Sequence, residues 1–142
     1  MYTGLLHLHS ILRYVVLILV LLSIFQAIAA GSKPYTPTNK KINLFALISA
    51  HTQLLLGLGL YFVSPNVDFS KMSDPTFRYW NVEHISMMIL AIILITIGYS
   101  KAKKAIETKA KHRAIYIYYT LAIVIVLLAI FTMKDRNPWY NM

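Results

Sequence analysis

Four long apolar runs, Ile11–Ala30, Ile42–Val63, Ile85–Tyr99 and Ala114–Met133, alternate with segments that hold almost all of the charge. A helix rises about 1.5 Å per residue, so about 20 residues cross the roughly 30 Å hydrocarbon layer of a bilayer. The first, second and fourth runs meet that length. The third is shorter, but Glu83–His84 and Lys101 lengthen it by reaching the interfaces with their polar ends. A helix is the only open-ended backbone form that satisfies its own hydrogen bonds in lipid. The pattern therefore predicts four transmembrane helices, over about 8–30, 42–63, 83–100 and 112–133, in a single domain.

The connections support a simple order. Gly31 stands just past the first run, and Pro34 and Pro37 follow it, which is a stop signal for a helix. The segment after the third run is short and polar and extends helices 3 and 4 beyond the membrane. The longest connection, 64–82, holds Pro65, Pro75 and the aromatic stretch Phe77–Trp80, and is expected to lie along the membrane surface. Short connections imply an all-α, up-down-up-down four-helix bundle. Ala27-Ile28-Ala29 resembles a signal-peptide cleavage site, but Met1–Leu12 contains no Lys or Arg, so the first run reads as a retained span.

Composition narrows the class. Of 142 residues, 58% are hydrophobic and 13% charged, with a mean hydropathy of +0.59. A soluble domain carries about a quarter charged residues, so a soluble enzyme and a disordered tail are both excluded. The absence of cysteine removes disulfides, iron–sulfur clusters and thiolate metal sites. No nucleotide-binding, zinc-protease or nucleophile-elbow motif occurs.

The net charge of +9 reads as a topology signal rather than as nucleic-acid binding. Lys33, Lys40 and Lys41 fall between the first two runs; Lys101, Lys103, Lys104, Lys109, Lys111 and Arg113 fall between the last two. Only Arg13, Lys71, Arg78, Lys134 and Arg136 lie on the opposite side, nine cations against five. The two basic loops are therefore expected in the cytoplasm, with both termini and 64–82 outside. Tyr79, Trp80, Trp139 and Tyr140 then fall on the outer face, where aromatic rings favour the headgroup layer.

The candidate chemistry is histidine. Ionisable residues are scarce within spans and usually face the bundle interior. His7 and His9 lie at the outer end of helix 1 and His84 at the outer end of helix 3; His51 is near the middle of helix 2, and His112 at the inner start of helix 4. Two imidazoles at one depth on different helices can ligate a haem iron from both faces. His84 with His9 (or His7) meets that requirement.

His7 and His9 are two residues apart, about 200° around a helix, so at most one should face inward. His9 shares its stripe with Arg13, Val16, Val20, Ser23 and Ala27, and His84 continues through Met88, Ala91, Ile95 and Gly98, small residues that leave room for a flat ring. Arg13, Lys71 and Arg78 are outer-side cations able to pair with haem propionates. The plainer alternative is that these histidines anchor helix ends at the interface.

His51 with His112 would make an inner pair, but they differ by about eight residues in depth, roughly 12 Å. His51 hydrogen-bonded to a neighbouring helix and His112 as part of a basic surface are the simpler expectations. Arg13 is explained by snorkelling, by a propionate, or by Glu83, which could also handle protons at a quinone site. Met87 and Met88 raise copper, though paired methionines on an apolar face are more often packing.

The segments LHLHSILRYVVL (Leu6–Leu17), HTQLLLGLGLYFVSP (His51–Pro65), RYWNVEHISMM (Arg78–Met88) and KHR (Lys111–Arg113) resemble a family of small bacterial four-helix membrane proteins described as cytochrome-b-like. The resemblance spans nearly the whole chain. It implies a b-type haem (heme b) or related redox role in a bacterial cytoplasmic (inner) membrane; the function expected on that basis is electron transfer with quinol or with another membrane or respiratory protein as partner. The chain departs from dihaem b cytochromes, in which one helix supplies two histidines about a dozen residues apart. The contrasting expectation is a non-catalytic accessory subunit or assembly factor whose histidines are structural.

Overall fold

A computed structural model describes residues 2–63, 67–74 and 82–133. Four helices occupy them: α1 (Tyr2–Ala30), α2 (Pro37–Val63), α3 (His84–Lys104) and α4 (Thr108–Met133). All four contain a stretch long and apolar enough to cross a membrane. The protein is an all-α, membrane-spanning four-helix bundle. α1 packs on α2 and α4, and α3 on α4 and α2. Chain neighbours are thus spatial neighbours, and α1 lies diagonally across from α3.

Each helix runs past its apolar run, for local reasons. Thr36 and Asn39 cap α2 reciprocally: the Asn39 amide donates to Thr36 Oγ1 (3.1 Å), and the Thr36 amide donates to Asn39 Oδ1 (2.9 Å). This meets two of the amides a helix start leaves open, and Pro37 supplies a first residue that needs no donor. That motif starts α2 five residues before its apolar run. α1 ends where Gly31 takes φ +56°, the left-handed conformation that glycine adopts without steric cost. α3 continues to Lys104, with Lys101, Lys103 and Lys104 complementing the negative end of its dipole. Only Ala105–Glu107 then separates it from α4. In the long connection, Asp68 caps a 3-10 turn (Phe69–Lys71), and Phe69 stacks edge-on against Tyr61 at 6.2 Å.

The side chains are arranged as lipid requires. Phe25, Leu55, Phe62 and Phe131 point outward, each at least 66% exposed. Inside are small or polar residues: Ser23, Ala46, Ala50, Ala91, Ala102, Ala122 and Asn43, with Ile115 and Tyr119 as the largest fully buried side chains. Lipid tails are as apolar as leucine, so large aliphatic residues gain little by leaving them. Close backbone approach and hydrogen bonds hold such helices instead. Gly98 shows the approach: a Cβ there would lie 2.6 Å from Tyr118 Cβ on α4.

Candidate functional site

The start of α1 is seated on the end of α2. His9 is buried and His7 exposed, so the two neighbours separate as their 200° spacing requires. The His9 ring lies over Gly57, where a Cβ would stand 3.3 Å from Nε2 and 3.7 Å from Cδ2. Glycine is what leaves the imidazole its place. Gln53, one turn earlier on α2, donates from Nε2 to the His9 carbonyl (2.8 Å) and holds the two backbones in register. Leu5 lies over Gly59 at 3.7 Å from its would-be Cβ. Below His9 the same stripe carries Val20, Ser23 and Ala27, all buried.

His9 Nδ1 is buried with no hydrogen-bond partner. A buried polar atom left without a partner costs about 1–3 kcal/mol, and Ser10 Oγ, Ser23 Oγ and Gln53 Oε1 on the same two helices share this state. One turn on, the half-buried Arg13 guanidinium sits 5.0 Å from the Tyr14 ring centre and donates to its hydroxyl at 3.4 Å. His84, half-buried in the first turn of α3, is within electrostatic reach of both His9 and Arg13. The diagonal pair α1 and α3 thus brings two imidazoles and one guanidinium together at one end of the bundle.

The other two histidines hold helices together. His51 Nε2 is 2.9 Å from Thr96 Oγ1 on α3. Thr96 donates its hydroxyl proton to the Ile92 carbonyl (2.7 Å), which leaves the oxygen as acceptor and assigns the His51 proton to Nε2. His112 is not part of a basic surface. It is 3% exposed, with Nε2 3.0 Å from the Lys33 carbonyl and its ring edge-on to Tyr35 at 5.3 Å. A carbonyl only accepts, so His112 donates from Nε2. The first turn of α4 turns this face onto the 31–36 connection, while Lys109 and Arg113 on its flanks stay outside. Both Nε2 atoms of the inner pair are therefore engaged within the protein.

Arg78, the aromatic stretch Phe77–Trp80 and Trp139–Tyr140 lie outside the described residues. Lys71 is exposed in the 3-10 turn, and Glu83 is half-buried beside His84. Reading the sequence for histidine missed a polar line through the inner half. Tyr119 donates to the Asn43 carbonyl (2.9 Å), and Asn43 Nδ2 donates to the Tyr35 hydroxyl (3.0 Å). The available signal was the asparagine itself, an uncharged polar residue inside an apolar run.

Among the described residues no group of three or more His, Cys, Asp or Glu side chains is arranged to hold a metal ion. The donor set at α1 and α3 is two imidazoles, too few for a bare ion that takes four protein ligands. It is the number a haem iron takes, since the macrocycle supplies the other four nitrogens. The orphaned His9 nitrogen, the glycine cradle and the nearby guanidinium fit that group's chemistry. No protein-family model, curated protein or solved structure matches this chain.

Proposed function

We propose that the chain is a b-type haem protein of a bacterial cytoplasmic membrane, serving quinol-linked or respiratory electron transfer, in which His9 and His84 would hold the iron. The observation that carries this reading is that His9 and Arg13 near the start of α1 and His84 at the start of α3 stand at one end of two diagonal helices, within electrostatic reach of one another. When bound, haem b supplies a one-electron iron couple. The chain's own residues do the rest. Gly57 and Gln53 hold His9 where its ring stays buried and its helix in register. Arg13 offers a cation to a propionate at the membrane edge. The basic connections face the cytoplasm in this reading, both termini are periplasmic, and His9 and His84 stand toward the outer leaflet.

The test is the absorbance spectrum of the purified full-length protein from haem-replete cells. A Soret band with a b-type reduced α-band is expected. His84→Ala and His9→Ala should each remove most of it, while His7→Ala and His112→Gln should leave it in place. A spectrum that survives loss of His84 but disappears with His51 or His112 moves the site to the inner half and defeats the assignment. A colourless, well-folded preparation instead supports an accessory or assembly role, the reading favoured by the structural bonds of His51 and His112.

A further inference from the structure

At the opposite end of the bundle from His9 and His84, a pocket of about 220 Å³ opens between three helix ends. It is lined by Tyr35 in the 31–36 connection, Lys40 at the start of α2, Tyr99 and Lys103 at the end of α3, and Lys111 at the start of α4. Three ammonium groups and two phenols line it, with no carboxylate among them. Such a lining presents hydrogen-bond donors and positive charge, and what completes it is an anion with several acceptor oxygens.

The donors are held in place before any ligand arrives. Lys111 Nζ donates to the Ala102 carbonyl at 2.9 Å, lies 3.5 Å from that of Lys103, and sits 5.6 Å from the Tyr35 ring centre. An ammonium has three protons, so Lys111 keeps capacity for a ligand. The Tyr35 hydroxyl accepts from Asn43, which is 2% exposed, and this leaves the phenol its own proton to donate. The ring edge of His112, itself tied to the Lys33 carbonyl, fixes Tyr35 from another side. Burial raises the Tyr35 phenol above its ordinary value, and the Tyr99 phenol adds to this while the Asn43 bond opposes it. The phenol is therefore a neutral donor at physiological pH.

Depth identifies the source of the anion. Lys40 is in the first turn of one span, Lys103 in the last turn of another, and Lys111 in the first turn of a third. The pocket thus lies level with the ends of three spans, at the height of lipid phosphates. We propose that this pocket is a binding site for the phosphate of an anionic lipid headgroup, such as that of phosphatidylglycerol. Basic pockets between helices at this level bind anionic headgroups by the same physics. The inference is independent of the haem reading.

The test uses the full-length protein in dodecyl maltoside micelles titrated with phosphatidylglycerol, phosphatidylcholine or inorganic phosphate, and reads the thermal unfolding midpoint. Phosphatidylglycerol should raise the midpoint of the native chain, and the other two should not. Lys40 and Lys103 are exposed, so Lys40→Gln with Lys103→Gln removes charge and leaves packing intact. That pair should raise the phosphatidylglycerol concentration needed by about thirtyfold. Tyr35→Phe, which deletes only the hydroxyl, should shift it in the same direction. Lys109→Gln with Arg113→Gln, which removes equal charge outside the pocket, should respond like the native chain. Four outcomes overturn the proposal: no response of the native chain; an unchanged response in the Lys40/Lys103 pair; an equal loss in the Lys109/Arg113 pair, which points to diffuse charge; or an equal effect of inorganic phosphate, which points to a soluble anion.

Discussion

Tyr119 shows how one side chain can fasten a membrane bundle. It is fully buried, and its hydroxyl crosses from α4 to the Asn43 carbonyl on the diagonal helix α2. A net hydrogen bond contributes about 0.5–1.5 kcal/mol in water-soluble proteins, and side-chain bonds between membrane helices average about 0.6 kcal/mol. Tyr119→Phe keeps the ring and loses the bond, so it should cost about 1 kcal/mol. Unfolding of the purified protein in mixed micelles measures this, and no change would mean that the Asn43 carbonyl does not depend on the phenol. The same scale separates the histidines. His51 and His112 have acceptors within 3.0 Å, and His9 has a glycine under its ring and an unpartnered Nδ1. Those differences were legible only in part. A 200° spacing predicts that His7 and His9 point apart, but not which nitrogen meets which neighbour.

At the scale of the helices, packing rests on what is missing from them. α3 and α4 approach so closely at Gly98 that an added Cβ would lie 2.6 Å from Tyr118 Cβ and 3.4 Å from the Ala114 carbonyl. Tyr118 Cβ is fixed to its backbone and cannot turn away, so the helices themselves must part. Gly98→Ala should therefore destabilise the bundle by about 1–3 kcal/mol. Gly4, also helical, has nothing within 4 Å of its would-be Cβ. Gly4→Ala should stabilise by up to about 1 kcal/mol, since alanine has less backbone freedom to lose and favours the helix. Thermal unfolding of the two variants side by side checks the pair, and similar effects would show that helix propensity outweighs packing at Gly98. The number and order of the helices, the stop at Gly31 and the polar extension of α3 and α4 could be read from the sequence, but not the early starts of α1 and α2. The start of α2 is set by the Thr36–Asn39 cap, whose two reciprocal bonds place the first turn ahead of the apolar run.

For the whole molecule, the cations set a direction. Nine stand on or beside the two short connections, against five elsewhere in the sequence. Because orientation follows the excess of Lys and Arg, a reporter fused within Ala105–Glu107 should report a cytoplasmic location. A periplasmic reading there would invert the bundle and place the His9–His84 end toward the inner leaflet. Three of the nine cations also line the pocket between the helix ends, where they have a local geometry as well as a topological role.

The amino-acid sequence determined the four spans, their up-and-down order, the charge asymmetry and the short roster of histidines. Hydropathy, length and charge act along one dimension, and lipid imposes them on each helix separately. Tertiary structure alone decided the partners. His112 proved buried although it lies in a basic run, because the rotation of α4 turns it toward Lys33 and Tyr35. Tyr35 and Lys111, more than seventy residues apart, came to line one pocket because α2 and α4 both start at the same end of the bundle. Helix rotation and the distance of closest approach depend on glycines and small side chains on two helices at once. A single helix read alone does not contain that information.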